Sequence, residues 1–168
     1  MTSTNTRKIR KSKRLLLTPL SLQELGRLSG GSQDFLEASV LTETVQSAIV
    51  HKIEIMQKMP PDTHPWLTYW LIAEQGSRKG IGVIGSKCLP DEDGYAELGY
   101  AIAGEYRRRG YLTEAMTEFL DWMYEWEFCN GAVVYIREEN VPSVKAAEKC
   151  GFEYEQMYQG YLMYRYRF

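Results

Sequence analysis

Three consecutive guanidinium groups and a glycine, Arg107-Arg108-Arg109-Gly110, stand between a stretch of alternating side chains, Tyr95 to Ala103, and a stretch whose apolar residues recur at helical spacing. A strand, a short basic loop and a helix start together make an anion site. The first backbone N–H groups of a helix have no partner inside it, and the helix dipole adds partial positive charge there. Helix-end attraction alone contributes only about 0.3–1 kcal/mol, so a diphosphate needs charged side chains and several N–H donors at once. Gly110 lets backbone approach ligand closely. Three arginines in a row also describe an ordinary solvated loop, and it is the preceding strand that tips the balance. Within it Glu97, Gly99, Ala101 and Ala103 share one face, and Ala96, Leu98, Tyr100 and Ile102 the other. The first face is acidic at its start and otherwise nearly bare, so a linear ligand can lie along it with its phosphates at the helix.

The elements that must hold these residues are legible from periodicity. Leu112, Ala115, Met116, Phe119, Leu120 and Met123 form an unbroken apolar stripe, which predicts an amphipathic helix beyond Gly110. Ahead of the basic loop, residues 67–73, 80–88 and 95–103 read as a three-strand meander, with turns at Gln75-Gly76-Ser77 and at Pro90 to Gly94. Residues 13–19 predict a first strand ended by Pro19, and residues 21–28 and 42–58 two helices separated by Gly30-Gly31. Pro60, Pro61 and Pro65 forbid a helix and mark a loop. Downstream come a strand over 133–137, a helix from Pro142 to a stop at Gly151, and a terminal hairpin over 152–158 and 161–168.

Gly80-Ile81-Gly82-Val83-Ile84-Gly85 satisfies the GxGxxG formula of dinucleotide-binding proteins. That formula needs a strand before the glycines and a helix opening on them. Here the glycines lie inside a β-branched run followed by a turn, so they read as a strand where backbones or a ligand approach closely.

The segment Arg107-x-x-Gly110-x-Leu112 after a strand resembles the acyl-CoA pyrophosphate motif of the GNAT superfamily of N-acetyltransferases, Gln/Arg-x-x-Gly-x-Gly/Ala. Its flanks, Ala96-Glu97-Leu98-Gly99-Tyr100 before and Gly110-Tyr111-Leu112-Thr113-Glu114-Ala115 after, are similar to the RimJ/RimL branch, which acetylates ribosomal-protein N-termini. A second match runs from Asn140 through Ser143 to Gly151-Phe152. Leu112 departs from the consensus; it narrows the space beside the phosphates without removing an N–H donor. The resemblance implies an α/β acyl-CoA N-acyltransferase fold: a mixed, mostly antiparallel sheet of about six or seven strands, splayed at the cofactor cleft, with helices on both faces. Residues 13–168 would form that single domain, behind a flexible basic arm over residues 1–12.

What the resemblance implies for chemistry is direct acetyl transfer from acetyl-CoA to a primary amine, with no metal. Ala101, Ile102, Ala103, Arg107, Arg108, Arg109, Gly110, Tyr111, Leu112, Thr113, Asn140 and Ser143 are then the cofactor contacts. Backbone N–H groups of the Glu97 strand polarise the thioester carbonyl, Glu97 is the base acting through water, and Ser143 protonates the departing thiolate. Asn140 orients the pantetheine arm or a water. Against these stand plainer readings: Glu97 as an exposed carboxylate, Asn140 and Ser143 as helix-capping residues. Many superfamily members carry a tyrosine seven residues after the Asn, but that position is Ala147 here. Tyr100, Tyr158 and Tyr164 are candidates for the acceptor end, although aromatics on strands are more often core. Met116, Met123, Trp122 and Trp126 read as packing, and His51 and His64 carry no role.

Energetics narrow the acceptor. Deprotonating a lysine at pH 7 costs about 4.6 kcal/mol, an α-amine about 1 kcal/mol. A single carboxylate base therefore suits an α-amine, of a protein N-terminus or a small molecule, without excluding polyamines.

Composition bounds the rest. The 168 residues are 44% hydrophobic, enough for one core-forming domain. Cys88, Cys129 and Cys150 form no CxxC pair and lie far from both histidines, which argues against a structural zinc site or a disulfide framework. No apolar run is long enough to span a bilayer, and a cytoplasmic protein is expected. Arg7, Lys8, Arg10, Lys11, Lys13 and Arg14 place six bases in the first fourteen residues, leaving 14 bases against 22 acids. An acidic body does not suit DNA, whereas the arm can touch RNA, associate with the ribosome or pair with the body. A homo-oligomer is compatible with the sequence. The rival to an enzyme is a non-catalytic acyl-CoA-binding sensor or interaction module.

Overall fold

The computed structural model describes residues 8–168. Eight strands form one open sheet in the order β1-β2-β3-β4-β5-β6-β8-β7. They are β1 (Arg10–Lys11), β2 (Leu15–Pro19), β3 (Trp70–Glu74), β4 (Gly80–Ser86), β5 (Tyr95–Ile102), β6 (Gly131–Ile136), β7 (Glu153–Tyr158) and β8 (Tyr161–Arg167). The helices are α1 (Leu22–Ser29), α2 (Glu43–Lys58), the one-turn α3 (His64–Leu67), α4 (Tyr111–Tyr124) and α5 (Val141–Cys150). Only the β5–β6 pairing is parallel, because α4 is the crossover between those strands; the other neighbours are antiparallel.

Two apolar cores lie on opposite faces of the sheet. On one face, the α4 stripe of Ala115, Met116, Phe119 and Met123 packs with Leu17, Trp70, Ile72, Ile84 and Leu98. On the other, Leu25 and Leu28 of α1 and Val45, Ile49 and Met56 of α2 pack with Val83 and Ala103. Period-two alternation assigns Val83 and Ile84 to opposite faces. Ile81, which alternation would place with Val83, sits in the α4-side core because the β3–β4 register slips between Ile72 and Ala73.

The structure corrects the sequence reading at three places. The sheet has one strand more than the six or seven expected. The addition is β1, drawn from residues expected in the arm: Arg10 and Lys11 pair with Leu17 and Leu16, and Arg10 is held by Glu118 and Glu125 of α4. Residues 1–7 of that arm lie outside the described residues. The proline cluster does not exclude helix: Pro61 opens a 3-10 turn and Pro65 sits in the first turn of α3, where a missing N–H costs nothing. Leu67, expected in a strand, ends α3 instead.

The GxGxxG glycines lie within β4, as strand rather than nucleotide loop. A Cβ on Gly82 would stand 2.5 Å from the Ala101 carbonyl oxygen and 2.7 Å from Ile102 Cδ1. These glycines serve close strand packing.

Candidate active site

β5 touches β6 only at its start, where Tyr95, Ala96 and Glu97 pair with Gly131, Ala132 and Val133. Beyond Glu97 the two strands separate. The odd-numbered residues of β5 are spent on β4, since Lys87 N donates to Glu97 O and Ala103 N donates to Ile81 O. The main-chain edges of Tyr100 and Ile102 therefore face the gap. The gap opens into a cleft of about 1030 Å³ bounded by β5, the turn before α4, the α4 N-terminus and the first turns of α5.

The turn is built for an anion. Arg108 and Gly110 are both left-handed, at φ 64° and 78°, so the chain bends sharply into α4. A non-glycine residue held there stores local strain, a pattern that concentrates at ligand-binding turns. Among the described residues, the amides of 108–113 donate to no protein acceptor, and α4 has no side-chain cap. Six successive donors without an acceptor, at the positive end of a 14-residue helix, suit phosphate oxygens. Charge agrees. Arg107, Arg108, Lys145 and Lys149 line the cleft and no carboxylate does, although acids outnumber bases over the whole chain. A diphosphate-bearing coenzyme thus fits the residues present.

At the inner end of the cleft, Tyr100 Oη lies 2.6 Å from Ser143 Oγ. Asn140 caps α5, its Oδ1 accepting from Ser143 N at 3.4 Å, and Ser143 is 5% exposed. Burial pushes the Tyr100 hydroxyl above its ordinary pKa, with the Ser143 hydrogen bond working against it. At neutral pH both hydroxyls carry protons. Ala147 is fully buried under α5.

Most of the expected cofactor contacts gather in one place. Ala101, Ile102, Arg107, Arg108, Gly110, Tyr111, Leu112, Thr113, Asn140 and Ser143 all line the cleft. Two do not. Ala103 is fully buried in the α1–α2 core, where those helices cover its end of the strand, and its N–H is already given to Ile81. Arg109 leaves the cleft to stack over the Tyr106 ring at 5.3 Å. Glu97 also lies outside the cleft lining, at the paired end of β5, where its carboxylate meets Lys87 Nζ at 2.5 Å.

Of the tyrosines expected near the acceptor, Tyr164 is buried and donates to Glu148, so it braces the core. Tyr158 is exposed and stacks on Tyr135. Trp122 is buried among Trp66, Trp70 and Phe119. His64 Nε2 lies 2.8 Å from Met56 O, a structural contact. Sequence reasoning missed Lys145 and Lys149, whose i, i+4 spacing on α5 was the available signal, and Thr42 and Thr44 at the α2 start. Among the described residues no group of acids, histidines or cysteines is arranged to hold a metal, and no helix is long and apolar enough to cross a membrane.

The fold is shared with known proteins. Residues 14–153 match the family model described as acetyltransferase (GNAT) domain, and the chain belongs to that family. The uncharacterized N-acetyltransferase YjdG of Bacillus subtilis (strain 168) is 31% identical over 83 residues, 49% of this chain and 49% of YjdG. The chain spans about half the length of the curated relatives it matches. Among solved structures, RimL, a ribosomal L7/L12 α-N-protein acetyltransferase in complex with coenzyme A, superposes with a TM-score of 0.68 at 17% identity, covering 95% of this chain and 98% of RimL. Mycobacterium smegmatis RimJ, in complex with a CoA-disulfide, gives 0.63 at 17% identity over 91% and 81%. At such identities these likenesses establish the fold.

Proposed function

We propose that this protein moves an acetyl group from acetyl-CoA directly to a primary amine, foremost the α-amine of a protein N-terminus of the ribosomal kind, with a small-molecule amine as the other acceptor. One observation carries the reading: the amides of 108–113 lack acceptors in a cleft lined by four bases and no acid. Acetyl-CoA supplies an activated thioester carbonyl. The chain supplies the rest. The turn and its bases hold the diphosphate, and the main-chain edge at Tyr100 and the Ile102 N–H receive the pantetheine arm as a neighbouring strand would be received, the Ile102 carbonyl being already taken by Arg107 Nε. Main-chain N–H groups there polarise the carbonyl. Glu97 takes the proton of the amine, directly or through water; an entering ammonium competes with Lys87 for its carboxylate. Ser143 gives its proton to the leaving sulfur and is resupplied by Tyr100 at 2.6 Å.

An α-amine is favoured because one carboxylate base need supply only about 1 kcal/mol for its deprotonation. RimL and RimJ among the structural neighbours add weight to a ribosomal acceptor, which sets the enzyme in the cytoplasm, beside the ribosome or its products. The test is thiol release from acetyl-CoA across ribosomal N-terminal peptides, spermine and amino acids. Amine-dependent release is expected. A protein that saturating acetyl-CoA stabilises but that releases no thiol in the presence of any of these amines is a binding module; one that acetyl-CoA does not stabilise refutes the cofactor site itself.

A further inference from the structure

We propose that Arg14, in the segment leading into β2, is a positioning residue that sets the phosphate-binding turn, fixing the peptide between Arg109 and Gly110 so that the Gly110 N–H faces the cleft. The proposal rests on the acetyl-CoA reading above. Arg14 is absent from the cleft lining and sits behind the turn. Its guanidinium is anchored on three sides: Nη1 donates to Arg109 O at 2.9 Å, Nε donates to Glu114 at 3.2 Å, and Cζ lies 4.3 Å over the Tyr111 ring. A Cβ on Gly110 would meet Arg14 Nη2 at 3.5 Å, so the guanidinium lies directly against the turn.

In a trans peptide the carbonyl and the following N–H point in opposite directions. A donor that holds Arg109 O behind the turn therefore aims Gly110 N–H forward. The restraint is needed because Gly110, left-handed and without a side chain, offers little steric resistance to rotation of that peptide. Rotation would present a carbonyl oxygen to the ligand's phosphates in place of a donor. The adjacent carbonyl, Gly110 O, is already taken by Glu114 N. The guanidinium holds the carbonyl and the carboxylate with separate donors of one rigid fork, a spacing that a single ammonium nitrogen reproduces less well.

The segment carrying Arg14 is itself moored along α4. Arg10 binds Glu118 and Glu125, Lys8 binds Glu125, and Arg14 binds Glu114. Three bases of the arm are thus committed to the body of the protein.

The experiment measures the Kd for CoA by calorimetry and the KM for acetyl-CoA beside kcat, in the full-length protein and in Arg14→Gln, Arg14→Lys, Glu114→Gln and Arg10→Gln. Arg14→Gln should raise Kd and KM about tenfold with kcat within about twofold. Arg14→Lys should recover only part of that loss, and Glu114→Gln should shift Kd in the same direction by less. Arg10→Gln, which removes two ion pairs from the same segment without touching the turn, should leave Kd unchanged. Full recovery by lysine would make Arg14 a mere charge and overturn the proposal, as would an Arg14→Gln effect no larger than that of Arg10→Gln. If the unmodified protein binds no CoA, the cofactor reading fails first, and with it this one.

Discussion

Tyr100 Oη and Ser143 Oγ are 2.6 Å apart, joining β5 to α5 across the mouth of the split sheet. The two residues are 43 positions apart, on β5 and α5, and the pair closes the inner end of the cleft while the basic turn before α4 bounds the outer one. In the proposed mechanism Ser143 is the proton donor to the departing thiolate, and Tyr100, hydrogen-bonded to it, keeps it oriented and protonated.

Ser143→Ala should lower kcat by about a hundredfold, within the range of a general acid. Tyr100→Phe, which removes one oxygen, should lower kcat about tenfold with the KM for acetyl-CoA within twofold. The double variant should be no slower than Ser143→Ala alone, because the tyrosine acts through the serine. Steady-state kinetics with a saturating amine measure all three.

Glu97→Gln should leave CoA affinity within twofold, since Glu97 lies outside the cleft lining. Turnover should fall by about 10²–10³ if its carboxylate accepts the amine proton. Turnover unchanged by this variant removes Glu97 from the mechanism.

Lys145→Gln and Lys149→Gln should each weaken CoA binding severalfold, and the double variant should flatten its dependence on salt. Both lysines are exposed, so their attraction for phosphate is screened as ionic strength rises. Calorimetry at two salt concentrations checks this.

Lys52 is nearly buried, donates to Leu67 O and Ser86 O and lies 4.5 Å over the Tyr69 ring. Burial is the main cause lowering its pKa to about 8, with Lys87 adding to the effect. The unfolded chain then binds more protons than the folded one between pH 8 and the ordinary lysine value of 10.5. Stability from this group is complete above the upper value and is lost as pH falls through 8. Relative to Lys52→Met, the unmodified protein should gain stability as pH rises across that window, read from urea unfolding. A constant difference would show that Lys52 titrates normally.

Much of this was legible in the sequence, for physical reasons that differ by element. The α4 stripe and the alternation of β5 were readable because each buries one face in a continuous core, and burial imposes a period. The basic turn could be picked out as a candidate anion site because its chemistry is local: bases, a glycine and a helix start within seven residues. What escaped is what depends on distant partners. β1 is two residues long and exists because Glu118 and Glu125, over a hundred positions away, receive Arg10. Arg14 looks like one more base of a polar tail until the fold places it behind Gly110. The Tyr100–Ser143 pair could not be seen because it depends on where β5 and β6 part, and no single stretch of sequence encodes that point. Ala103 was misassigned by the reverse error: its face was read as open, whereas α1 and α2 cover it.

The parting of β5 from β6 after three residue pairs also bears on how the molecule holds together. The leaf containing β1 to β5 and the leaf containing β6 to β8 share few lateral hydrogen bonds, and the missing ones are left for a guest to supply. One apolar core, with α4 and α5 residues in it, spans both leaves, and on the proposed reading a bound coenzyme would add lateral hydrogen bonds across the gap. On the proposed cofactor reading, a bound coenzyme would stabilise the protein by mass action and so slow its opening to proteases.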